Sequence, residues 1–261
     1  MDDIVTEEVG SILRVQLNRP TKRNAMTSAM YLSLASIFNE AANDENTRVV
    51  LWHGAGDSFC AGNDIEDFLK NPPGPGESPQ AGLMNALVNF DKPLVAAVHG
   101  AAIGGGTTML THCDFIYAGE STKFQMPFIN LAVVPEFGSS CSVPARIGHV
   151  RAAELILLGT PFDAMRAAEL GLVTQVMSDK DVLATATETA RKLAAKPTEA
   201  LQASKRLMRQ PFRERIKAAM KAENEEFSAQ VRSEDAKEAL TAFLEKRKPD
   251  FTRSVNSPAT A

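Results

Sequence analysis

Cysteine is scarce in this 261-residue chain. Cys60, Cys113 and Cys141 are an odd number, far apart, and outside any Cys-x-x-Cys or Cys/His ligand spacing, which argues against a disulfide scaffold or a structural zinc site. Long apolar runs are missing too: none approaches the ~20 residues that span a bilayer. The opening Met1-Asp2-Asp3-Ile4 lacks the basic and apolar regions of a signal peptide, and the closing Pro258-Ala259-Thr260-Ala261 is not a peroxisomal Ser-Lys-Leu signal. The expected location is cytoplasmic, with no membrane partner. An excess of positive charge is also absent, since 28 Lys and Arg stand against 32 Asp and Glu for a net charge of −4. That balance disfavours a broad nucleic-acid surface.

What is present is enough apolar material for a sizeable core, 44% of residues against 23% charged. The charge is unevenly spread. Residues 1–201 carry 15 basic and 23 acidic side chains, residues 202–261 carry 13 and 9, so an anionic partner is expected to meet the last quarter.

Short β-branched runs alternate with helical patterns through the first two thirds, the layout of an α/β sheet covered by helices. Strands are expected at Ile12–Leu17, Val49–His53, Leu94–Val98, Asp114–Ala118, Lys123–Met126 and Val173–Met177, and a helix over 27–42 capped by Thr27 or Ser28. The Pro/Gly-dense stretch 71–76 reads as a surface loop. Ser178 to Asp181 has capping-box form ahead of a helix ending near Lys196. Two charged helices are expected at 213–231 and 233–246, with apolar stripes that pack on the chain's own core or on a neighbouring subunit.

Two glycine turns carry the chemical signal. His99-Gly100-Ala101-Ala102-Ile103-Gly104-Gly105-Gly106 follows a strand and opens a helix, where unpaired N–H groups and a positive dipole end favour an oxygen acquiring negative charge. It is neither GxGxxG nor GxxxxGK[ST], so dinucleotide and P-loop readings lack their residues. Phe59-Cys60-Ala61-Gly62-Asn63-Asp64-Ile65 lies just past the second strand. One N–H from each turn is enough to form an oxyanion hole.

These motifs, with Asn18-Arg19-Pro20-Thr21-Lys22-Arg23-Asn24-Ala25-Met26, Lys92-Pro93-Leu94, Cys113-Asp114 and Ala168-Glu169-Leu170-Gly171-Leu172-Val173, occur in the order of the crotonase (enoyl-CoA hydratase/isomerase) superfamily, which the chain resembles from about residue 5 to 250. The resemblance implies a ββα spiral core over 1–200 and a helical oligomerisation region over 201–261. It implies an acyl-CoA thioester substrate, a homotrimer or dimer of trimers, and no metal or separate cofactor, coenzyme A being part of the substrate. By motif the oxyanion donors are the backbone N–H groups of Asn63 and Gly105. Lys22, Ala25, Ala61, Asp64, Ile65 and Phe128 are placed along the substrate groove, with Phe243 and Lys246 toward the nucleotide.

Family hydratases use two glutamates, whose positions here hold Thr108 and Phe128. Neither activates water as a carboxylate does. The segment Val134-Pro135-Glu136-Phe137-Gly138-Ser139-Ser140 is similar to Δ3,Δ2-enoyl-CoA isomerases, in which that glutamate is the base. Apolar neighbours should raise the pKa of Glu136. Three alternatives stay open: Glu136 as a cap on a helix beginning near Ser139, a hydratase-like or other crotonase enzyme, and a non-catalytic acyl-CoA-binding paralogue.

Overall fold

The structure, a computed structural model, describes residues 2–71 and 78–252, so most of the loop expected at 71–76 lies outside the described residues. The chain opens with β1 (Ile4–Val9), β2 (Ile12–Leu17), α1 (Ser28–Asn43) and β3 (Val49–Gly54), followed by α2 (Ile65–Lys70) and α3 (Pro79–Val88). It continues through β4 (Leu94–Val98), β5 (Ala101–Ile103), the short α4 (Gly105–Thr108), β6 (Phe115–Gly119), β7 (Lys123–Gln125), α5 (Ser139–Ile147) and α6 (His149–Leu157). Then come β8 (Phe162–Asp163), α7 (Ala164–Glu169), β9 (Gln175–Met177), α8 (Val182–Ala194), α9 (Thr198–Gln230) and α10 (Glu234–Leu244).

Six strands form one sheet in the order β1-β2-β3-β4-β6-β9, and β5-β7-β8 form a second. Among the described strands only β1–β2 and β7–β8 pair antiparallel; the other pairs are parallel, as Val50↔Leu94 and Val95↔Phe115 show. Successive turns of chain lay one strand on the large sheet, one on the small sheet, and then a helix: β4-β5-α4, then β6-β7-α5. The preceding turn does the same in miniature, because a single bridge Cys60↔Ala102 adds Cys60 beside β5. This is a ββα spiral, mixed α/β with a helical C-terminal region.

The central strands read as continuous apolar runs because both faces are covered. On one face Trp52 meets Phe38 of α1 edge-on at 5.2 Å between centroids, and Phe38 meets Phe90 at 5.4 Å. On the other, Leu51, Val95 and Ala97 pack against Val182, Ala186 and Ala190 of α8.

Several boundaries differ from expectation for local reasons. Thr27, not Ser28, caps α1 by accepting from the Met30 N–H. Ser178 does not cap α8: its hydroxyl bonds Asp181 in a 3-10 turn over Asp179–Asp181, and α8 starts only at Val182. The expected helix at 213–231 is the second half of α9, which runs through Pro211. Pro211 removes one hydrogen bond, a loss of roughly 3 kcal/mol in an isolated helix; here the helix is held from outside by packing on α3 and α5. The strand β1 and the helix α3 were not foreseen. Met220, Phe227, Val231 and Leu240 join the main core, so the C-terminal helices pack on their own chain, while Phe243 and Leu244 stay exposed. No described helix is long and apolar enough to cross a membrane.

Candidate active site

Three turns converge at one end of the spiral. The Ala61 N–H donates to Arg23 C=O at 3.0 Å, and Met26 and Asp64 N–H groups bracket the segment at 2.8 Å each. Cys60 exchanges backbone bonds with Ala101 and Ile103, both at 2.9 Å. The two glycine turns are thereby laced together at fixed register. In the parallel bridge Met26↔Asn63 the flanking residues make the bonds, so the N–H of Asn63 is not used in backbone pairing. Neither is that of Gly105, the first residue of α4. Both residues line one cavity of about 330 Å³. Because α4 has only four residues, the N–H group itself matters here more than the expected helix dipole.

A side chain at Gly105 would crowd the groups behind it. A Cβ at Gly105 would lie 2.8 Å from Glu136 Oε1 and 3.2 Å from the Tyr31 hydroxyl. Gly104 sits at φ +56°, which lets the chain turn from β5 into α4.

Glu136 is 5% exposed and lines the same cavity. Its Oε1 is buried with no hydrogen-bond partner among the described residues. Burial pushes its pKa up to about 8, and the Glu223 carboxylate adds to the rise. The backbone around it is forced: Phe137 is held at φ +61°, a conformation costly for a bulky side chain. Its carbonyl accepts from His112 Nε2 at 2.8 Å, which fixes the ring's proton on Nε2 and leaves Nδ1 to accept from Arg209. Burial, followed by the Arg209 charge, pushes His112 down to about 3, so the ring stays neutral.

The helix-capping alternative for Glu136 is settled by a residue from a distant segment. Glu223 of α9 accepts from the Gly138 N–H at 2.7 Å and the Ser140 N–H at 2.8 Å, capping α5 itself. Glu136 is therefore free of that duty. Tyr31 of α1, fully buried, donates to the Asn63 side-chain oxygen at 2.6 Å. Burial first, and the nearby Glu136 second, raise its pKa well above the ordinary phenol value. Sequence reasoning missed Tyr31 and Glu223 because both lie on amphipathic helices where nothing local marks them.

The other expected residues divide. Ala61, Ile65, Phe128 and Phe243 line the cavity; Lys22, Ala25, Asp64 and Lys246 do not. The Asp64 carboxylate caps α2 and pairs with Arg19 at 2.8 Å. Lys22 lies on the outer surface within 3.6 Å of Glu66. The Ala25 carbonyl accepts from Arg19. At the cavity mouth the basic residue is Arg247 rather than Lys246, which turns aside at φ +55°. Thr108 is buried and bonds back to Gly104, so the two positions where hydratases carry glutamates supply no carboxylate. Among the described residues Glu136 is the only acid on the cavity wall. Cys60 and Cys113 are buried with thiols pushed up to about 12, hence inert.

Asn63, Gly105 and the buried Glu136 carboxylate line one largely apolar chamber on this spiral, and the molecule falls in the crotonase class of acyl-CoA enzymes. The sequence profile of the enoyl-CoA hydratase/isomerase family matches residues 7–254, and the chain belongs to that family. It is 33% identical to the 1,2-epoxyphenylacetyl-CoA isomerase of Escherichia coli K12 over 97% of this chain and 99% of that protein. It is 32% identical to the 2,3-dehydroadipyl-CoA hydratase of the same organism, over 96% and 99%. The solved enoyl-CoA hydratase/isomerase of Pseudoalteromonas atlantica T6c superposes with a TM-score of 0.91 at 36% identity, covering 96% of this chain and all of that one.

Proposed function

We propose that the enzyme moves the double bond of a 3-enoyl-CoA into conjugation, giving trans-2-enoyl-CoA. The observation that carries this reading is the single carboxylate: among the described residues Glu136 is the only acid on the chamber wall, and its Oε1 has no hydrogen-bond partner. Hydration needs one group to activate water and another to manage the second proton. A 1,3-proton shift needs one group, used twice.

In the proposed cycle, ionised Glu136 takes a proton from C2 of the thioester. The electrons of that C–H bond move onto the thioester oxygen, giving a dienolate held by the Asn63 and Gly105 N–H groups. The protonated Glu136 then returns its proton at C4, and the double bond forms between C2 and C3. The thioester oxygen gains charge only on the way to the dienolate, so the fixed N–H pair stabilises the transition state more than the ground state; one such donor is worth about 10²–10³-fold in rate elsewhere. The proton shift balances without a metal, redox cofactor or added water. We further propose assembly as a homotrimer or dimer of trimers through the helical C-terminal region.

Side-by-side assays of 3-hexenoyl-CoA conversion and crotonyl-CoA hydration test the reading. Isomerisation should dominate by at least about 10²-fold, and Glu136→Gln should abolish it. Comparable hydration, or near-normal isomerisation by the variant, would show the assignment to be wrong. Tight acyl-CoA binding with no deuterium entering C2 or C4 would instead mark a non-catalytic binder.

A further inference from the structure

A second cavity, of about 550 Å³, shares no lining residue with the Glu136 chamber. It opens at the starts of β4 and β6, where Pro93 and Phe115 line it. The chamber lies past the far end of β4, around Gly104 and Gly105. Sites for small molecules typically enclose roughly 300–1,000 Å³, and this cavity falls within that range.

The polar part of its wall carries three cations, Arg146, Lys205 and Arg209, against one carboxylate, Asp114. Asp114 is already engaged: its Oδ2 accepts from Lys205 Nζ at 2.6 Å and from the Leu94 N–H at 2.8 Å. Neither arginine has such a partner, since among the described residues no carboxylate lies within 4.0 Å of either guanidinium. Both are anchored on neighbouring backbone instead. Arg146 Nη2 donates to the Thr111 carbonyl at 2.5 Å. Arg209 takes the next residue, with Nη1 3.4 Å from the His112 carbonyl and Nη2 donating to His112 Nδ1 at 3.2 Å.

Two guanidinium forks are thereby fixed at consecutive residues, with most of their N–H donors unmatched in the chain. Burial lowers the Arg209 pKa, the Asp114 charge opposes that shift, and the charges of Arg213 and Arg146 add to it. Arg213 has its own counter-charge in Asp91; Arg146 has none. Like charges held together in a partly desolvated place are unfavourable until an anion neutralises them. The rest of the wall is largely apolar, with Leu172, Val173, Leu193 and Leu201. A bare inorganic anion would leave that surface uncovered, and a neutral apolar molecule would leave both forks unmatched.

We propose that this cavity binds a carboxylate carried on an apolar body, such as a medium-chain aliphatic acid. Arg146 and Arg209 take the carboxylate oxygens, a pairing suited to the planar guanidinium, and the body lies along the leucine and valine wall.

Calorimetric titration of enzyme saturated with hexanoyl-CoA, which fills the Glu136 chamber, isolates the second cavity. Octanoate should bind about tenfold or more tighter than octan-1-ol, and tighter than inorganic phosphate. Arg146→Met and Arg209→Met keep an apolar stem; each should weaken octanoate about tenfold while leaving octan-1-ol within about threefold. Arg146 makes one bond to the chain, so its variant remains decisive if Arg209→Met, which also releases His112, fails to fold. Equal affinity for octanoate and octan-1-ol, octanoate binding unchanged by Arg146→Met, or competition between octanoate and hexanoyl-CoA would overturn the proposal. So would an assembled enzyme that binds no octanoate, which would mean that the arginines are neutralised from elsewhere, as by an acidic side chain of a second copy. The readout is binding outside the chamber, so it stands whichever reaction Glu136 performs.

Discussion

In the proposed cycle Glu136 has to be ionised, yet it is held where ionisation is expensive. With its pKa pushed up to about 8, about a tenth of the free enzyme carries the active form at pH 7. For turnover of 3-enoyl-CoA, log(kcat/KM) should climb with a slope near one up to about pH 8 and level off above it, as a stopped assay across pH 5.5–9.5 would record. Stability runs the opposite way. The folded-state pKa lies above the ordinary 4.5, so between pH 4.5 and 8 the folded chain keeps a proton that the unfolded chain gives up, and stability falls as pH rises through that window. Glu136→Gln, inactive, should lack this fall and melt at a higher temperature than wild type, with the gap widest above pH 8. A melting curve insensitive to that substitution at pH 9 would count against a strained carboxylate.

At the scale of elements, the placement of Glu136 depends on α9 reaching across to the start of α5. Glu223 accepts two N–H groups there and is itself held above the ordinary carboxylate pKa, chiefly by burial. Glu223→Gln removes the charge that helps raise Glu136, so the rising limb of the pH–rate profile should move to lower pH. Glu223→Ala leaves the buried Gly138 N–H unpaired, a loss of about 1–3 kcal/mol, together with the less buried Ser140 N–H, and should lower both melting temperature and kcat.

This dependence also explains what sequence reading could and could not reach. The strands β3, β4 and β6 were legible because buried parallel strands are unbroken apolar runs, and the two glycine turns because only glycine permits such close approach. The burial of Glu136 was legible through its apolar neighbours. Glu223 was not, since among Lys221, Glu223, Glu225 and Glu226 it looks like one more solvated charge and is buried only by a contact 83–85 residues distant. The helix expected at 213–231 fell short of α9 for a related reason: α9 continues through Pro211, a residue that ordinarily stops helices, because packing on α3 and α5 holds it. Asp64 sat in the right turn, but its side chain points to Arg19, a choice invisible without the fold.

For the whole molecule, the uneven charge has a more limited correlate than its arithmetic implies. Among the described basic residues of the last quarter only Arg247 lines the chamber, while Lys205 and Arg213 are engaged inside the fold with Asp114 and Asp91. Much of the positive excess thus ties α9 to the spiral. The helix α10 closes the chamber through Ala239, Leu240 and Phe243 of the same chain, so every wall residue named above is encoded and folded in one polypeptide. In the proposed trimer each chemical unit would then be autonomous. Co-refolded mixtures of wild type and Glu136→Gln should lose activity in direct proportion to the inactive fraction; a curve bending steeply downward would reveal sites shared between chains. The genetic corollary is that chamber lesions in such an assembly behave as simple loss of dose, and only lesions that spoil folding or assembly have a route to poisoning their neighbours.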